Sequence, residues 1–203
     1  MIGHGEHNQP AGTWSDDTAL SLATLDSLTE CHGEVNTADM LMRYRMWLEH
    51  GMYTPDGNTY DSGITVATAI RSRHGCDGLN DNGNGSLMRV APCAFYNLPD
   101  VEIKQVSAIT HAHEISMTAC VQYVRILEGL LNCVPSHKAI TDSGFPFDPT
   151  IPRTEVESDT TASVAGALAG AVYGFDSIPT EWIEKLRGRE LIDMYVSESE
   201  LRC

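Results

Sequence analysis

Along this chain the apolar residues recur at three- and four-residue intervals, and no stretch alternates apolar and polar side chains long enough to make a strand. The Val/Ile runs that a buried parallel sheet needs are absent too. The pattern predicts an all-α chain. Its 203 residues suffice for one sizeable core, so a single compact domain over 1–203 is expected.

Ser15 stands where an N-cap would, and the helix it opens runs to about Thr29 with Leu20, Ala23, Leu25 and Leu28 inward. Thr37 is expected to cap a second helix, which Gly51 stops. Further helices are expected over about 61–73, from just before Ser86, and over 100–112, 114–132, 161–173, 179–187 and 190–198. The Pro-, Ser-, Thr- and Asp-rich tract from Asn132 to Glu157 reads as one long loop. In the helix over 161–173, Gly166, Ala169 and Gly170 would let neighbours approach closely, so this helix is expected at the buried centre.

Two acidic clusters share one grammar. Ser15-Asp16-Asp17-Thr18 opens an apolar helix, and Glu157-Ser158-Asp159-Thr160-Thr161 opens another. Taken singly, each is accounted for by capping and by the helix dipole, worth about 0.3–1 kcal/mol per acid. Together they put four carboxylates where solvent is scarce, and like charges there repel unless a cation lies between them. Carboxylate and hydroxyl oxygens suit a hard divalent ion, so the pair predicts a magnesium-type site.

Two other segments carry chemistry. In "DNGNGSLMRVAP", Gly83 and Gly85 interleave with Asn and permit positive φ, which would expose backbone N–H groups to a phosphate or a ribose; a plain loop would read the same way. In "THAHE", His111 and His113 lack the further nitrogen or sulfur ligands that zinc requires, which leaves a ligand-facing or helix-capping role.

The formal charge of −15 argues against nucleic acid or an anionic membrane as partner, since both need a basic face. "MIGHGEHNQPAG" has neither the apolar run nor the basic start of a signal peptide. The longest run of small apolar residues, Ala162 to Tyr173, falls short of the roughly 20 residues that span a bilayer. Cysteines scattered without CxxC spacing, several inside helical patterns, suit reduced thiols in a cytoplasmic protein.

In their order these segments resemble the ADP-ribosylglycohydrolase family. "GTWSDDTAL" is similar to its [ST]DDT motif and "GNGSLMRVAP" to its GNG-x-x-MR-x-AP loop. "ITHAHEISMTAC" resembles its TH-x-H-x-x-A segment, "ESDTTASVAGALAGAVYG" its DTDT helix, and "IPTEWIEKL" the IP-x-x-W that follows. The resemblance implies an all-α fold and two Mg²⁺ ions, sometimes Mn²⁺, at the base of a cleft. It also implies hydrolysis of the bond between ADP-ribose and a modified protein side chain, or a related ADP-ribosyl compound. By the matched positions Ser15, Asp16, Asp17, Glu157, Asp159 and Thr160 would hold metal. Asp81, Gly83, Asn84, Gly85 and His111 would hold ADP-ribose, and Asp16, Asp17 and Asp159 would serve catalysis. The family has Asp where this chain has Glu157. Its members carry a Gly/Ala-rich helix and a glutamate-bearing loop ahead of the first motif, whereas this chain starts just before that motif. A chain of this kind can be a hydrolase, or a homologue that binds ADP-ribose without turnover.

Overall fold

The computed structural model describes residues 3–4, 7–144 and 158–199, the side chains of Ser158 and Asp159 excepted. Among the described residues there are nine α-helices and no strand. They are α1 (Asp16–Glu30), α2 (Thr37–His50), α3 (Ile64–Ser72), α4 (Asp100–Ala108), α5 (Glu114–Leu131), α6 (Ser136–Asp142), α7 (Ser158–Tyr173), α8 (Thr180–Lys185) and α9 (Arg189–Glu198). A parallel bridge between Cys76 and His111 is the one piece of sheet-like pairing among them. None of these helices is long and apolar enough to cross a membrane.

The centre of the fold is α1, not the small-residue helix. Around α1 pack α2, α7, α9 and two 3-10 turns, Leu87–Arg89 and Ala91–Phe95. Its Ala19, Leu20, Ala23 and Leu28 are wholly enclosed, and so are its polar residues Thr24 and Ser27. Enclosure of polar groups is tolerated where they are bonded: Thr24 donates to the Leu20 carbonyl at 2.9 Å and meets the Tyr44 hydroxyl at 2.7 Å. Asp26 ion-pairs with Arg43 of α2 and accepts from the Tyr53 hydroxyl at 2.6 Å.

Against expectation, α7 lies on one side of the core. Val164, Ala167, Leu168 and Ala171 pack inward, while a Cβ on Gly166 or Gly170 would meet nothing within 4 Å among the described residues. From Ala162 to Val172 the helix is built of Ala, Gly, Ser, Val and Leu alone, so its periodicity marks no clear face; Val164 and Leu168 turn to the core while Val172 stays exposed.

Three local expectations also change. Asn36, not Thr37, caps α2, its side chain accepting from the Asp39 N–H at 3.1 Å. The segment from Ser86 makes 3-10 turns, because Pro92 lacks the N–H an α-helix would use there. Within the tract read as one loop, residues 136–142 form α6 behind Pro135. Residues 145–157, Glu157 among them, lie outside the described residues.

Candidate active site

The first turn of α1 carries the site's acids. Asp16 and Asp17 are 8% and 3% exposed. Ser15 occupies the N-cap position but does not cap: its hydroxyl donates to Asp17 Oδ2 at 2.9 Å. The hydroxyl of Thr160, in the first turn of α7, also reaches Asp17 Oδ2, at 3.4 Å, from 143 positions along the chain. The two clusters thus meet at one carboxylate. The Ser21 hydroxyl lies 2.8 Å from the Asp17 carbonyl and 3.1 Å from that of Met88, which ties this turn to the glycine loop's far end.

The glycine loop faces the same place, for a reason other than the one expected. Neither Gly83 nor Gly85 has a positive φ. What position 85 requires is space: a Cβ there would stand 2.7 Å from Val66 Cγ2 and 2.9 Å from His111 Cε1. At Gly83 a Cβ would lie 3.7 Å from His111 Nε2. The loop therefore rests directly on the His111 ring.

His111 is 1% exposed, and its Nδ1 meets the Thr110 hydroxyl at 2.8 Å. The bridge to Cys76 and a bond from the Ser107 hydroxyl to the His111 carbonyl, 3.1 Å, fix its backbone. Beneath lies Arg89, fully buried, donating to the carbonyls of Gly85 and Val106 and to the Tyr44 hydroxyl. Burial, and then the charge of Arg89, push the His111 imidazole down to about 4, so at neutral pH it is an uncharged hydrogen-bonding group.

Asp16, Gly83, Asn84, Gly85, His111 and Thr160 share one cleft of about 120 Å³ with Val66, Met88 and Asp61. A wider chamber of about 580 Å³ adjoins it, lined by His7, Thr13, Ser15, Asp17, Tyr60, Asp61 and Ser163. Asp61 borders both. The apolar periodicity predicts it inside a helix; instead it precedes α3 in the left-handed region, φ 54°. The signal was present, since Asp61-Ser62-Gly63 repeats the pattern of an acid ahead of an apolar helix.

Other expected residues lie elsewhere. Asp81 does not line the cleft; its Oδ2 accepts from the Gly78 N–H at 3.2 Å and closes a 3-10 turn. His113 caps α5 through Nδ1, accepting from the Ile115 N–H at 3.2 Å. Asp159 is in the first turn of α7 with its side chain outside the description. Among the described residues no three His, Cys, Asp or Glu side chains group as a metal site. The oxygen donors that do converge, from Asp16, Asp17, Ser15 and Thr160, are of the kind a hard divalent cation takes.

A family model described as ADP-ribosylglycohydrolase matches residues 1–148 and 153–202. Among curated proteins the chain is similar to ADP-ribosylarginine hydrolase Tri1 of Pseudomonas putida (strain GB-1). The two are 24% identical over 256 residues, covering 98% of this chain and 69% of the relative. It is also similar to ADP-ribosyl-dinitrogen reductase glycohydrolase of Rhodospirillum rubrum, 27% identical over 230 residues, covering 92% of this chain and 78% of the relative. Among solved structures, an ADP-ribosylglycohydrolase-related protein complex superposes with a TM-score of 0.76 at 22% identity, covering 99% of this chain and 86% of that one. That last likeness speaks to the fold alone.

Proposed function

We propose, from the premise that the chain belongs to the ADP-ribosylglycohydrolase family, that it hydrolyses the glycosidic bond between ADP-ribose and a modified side chain. ADP-ribosylated arginine is the substrate that the first relative's name gives, and an ADP-ribosylated protein, dinitrogen reductase, is the one that the second's gives; ADP-ribosylated arginine is taken as the substrate class here. The observation that carries the reading is the meeting of Asp17 with Thr160 beside the cleft that Asp16, the glycine loop and His111 share.

Mg²⁺ is the cofactor of this reading, two ions with Mn²⁺ as a substitute. Ser15, Asp16, Asp17 and Thr160 would hold it, and Asp159 and Glu157 would complete the set. When bound, the ions supply Lewis acidity that activates water and polarises ribose hydroxyls. The remaining work falls to the chain. The carboxylate of Asp16 lines the cleft, where it can accept a proton or a ribose hydroxyl hydrogen bond. The absence of side chains at Gly83 and Gly85 lets the loop settle on the His111 ring, which sets the cleft wall that ADP-ribose would meet. His111, uncharged, offers Nε2 on the loop side and does not compete as a cation with the metal. Asp61 faces both chambers and suits the N–H groups of a departing guanidine. A cytoplasmic place of action belongs to the same reading, supported by the buried thiols of Cys93 and Cys120.

Incubation with ADP-ribosylated arginine, with and without Mg²⁺, tests the proposal. Release of ADP-ribose that depends on Mg²⁺ is the expected result. Binding without release would make the chain a receptor for ADP-ribose, and neither binding nor release would remove the site.

A further inference from the structure

We propose that His7 is a positioning residue for this reaction, holding the Asp61 carboxylate at the threshold between the cleft and the outer chamber; the proposal rests on the function argued above. His7 Nε2 lies 3.3 Å from Asp61 Oδ2. The same imidazole tilts against the ring of Tyr60, centroids 5.8 Å apart, so His7 grips two consecutive residues of the loop.

The described residues around His7 are themselves tied down. The His4 N–H donates to the Gln9 carbonyl at 2.7 Å, and the Gln9 side chain donates to the His7 carbonyl at 3.2 Å. Farther along, the Arg187 N–H donates to the Gly12 carbonyl at 3.0 Å. Gly12 has φ 86°, and a Cβ there would stand 1.7 Å from the Lys185 carbonyl oxygen, so only glycine lets the segment lie so close to the body.

Asp61 needs such a hold. Its φ of 54° is uncommon for a residue with a side chain, and it faces the chambers that also take Asp16 and Asp17. Before a cation lies between them, repulsion from two carboxylates would turn a third away from the threshold. An N–H of His7, on the outer side with His4 as the chamber's other imidazole, draws it back. The His7 side chain is 45% exposed, so the pair adds little to stability and its loss should not unfold the chain.

The test is turnover of ADP-ribosylated arginine by the parent chain, His7→Ala, His7→Gln, Asp61→Asn and the double variant His7→Ala with Asp61→Asn. Positioning predicts a kcat lowered about tenfold by His7→Ala at nearly constant KM, and no further loss when it is added to Asp61→Asn. His7→Gln, whose amide can still donate to Asp61, should return to within about threefold of the parent. Losses that multiply in the double variant, a His7→Gln as slow as His7→Ala, or a His7→Ala as fast as the parent each overturn the proposal. A parent that releases no ADP-ribose refutes instead the function argued above. The His7 ring signals in ¹H–¹³C NMR spectra, which need no turnover, then decide: they must move on Asp61→Asn and again on adding ADP-ribose with Mg²⁺. Signals that ignore either change overturn the positioning role.

Discussion

At the residue scale, Asp17 separates a metal ligand from an ordinary helix start. Asp17→Asn keeps the size and removes the charge. A dipole interaction alone would cost about 0.3–1 kcal/mol whether or not metal is present. With a metal role, stability without Mg²⁺ should hold or rise, because one of two adjacent buried carboxylates has lost its charge. The stabilisation by Mg²⁺ should disappear, and paired urea melts read both. His111 gives a second test through pH. Its imidazole is pushed down to about 4 in the fold, so below the ordinary histidine range the unfolded chain binds the proton that the native one refuses. Stability should therefore fall as pH drops from about 6.5 towards 4, by something on the order of 3 kcal/mol at most, and level off below. His111→Gln should flatten that slope in melts taken across the range.

At the element scale, glycines divide by what surrounds them. Gly85 is wedged against Val66 and His111, so Gly85→Ala should lose about 1–3 kcal/mol of stability through overpacking and weaken ADP-ribose binding, as calorimetry would show. Gly166 and Gly170 sit in α7 with open space beside them, and either replaced by Ala should gain about 0.5–1 kcal/mol from the better helix former. A loss at those two positions would mean that something covers the outer face of α7. This contrast marks where the sequence was legible. Periodicity located most of the helices, and the repeated acid-and-hydroxyl grammar pointed to Asp17 and Thr160, which do meet. It did not reveal that α1 is the central helix, because an enclosed Thr24 or Asp26 looks polar until Tyr44, Tyr53 and Arg43 are seen to answer it. Nor did it reveal Asp61, whose left-handed backbone takes it out of the helical pattern that surrounds it in sequence.

For the whole molecule, ligands that bind only the folded state must raise its melting temperature. Mg²⁺ and ADP-ribose, each at about 100 times its dissociation constant, should add about 2.7 kcal/mol apiece. For a domain of this size that is roughly 5–10 °C each, with either ligand strengthening the other. A calorimetric scan with no shift would mean that the protein has no such site. The bond between Thr160 and Asp17, across 143 positions, has a consequence for how the chain comes into being. During synthesis the acids of α1 emerge first and wait, because their partner on α7 follows 143 positions later. No partly made chain can use the completed site to stabilise itself, and closing so long a loop is slow. The emerging α1, enclosed on nearly every side in the finished fold, must meanwhile be sheltered by α2 and the 3-10 turns alone, and this interval is where the newborn protein is most exposed to aggregation and to chaperones.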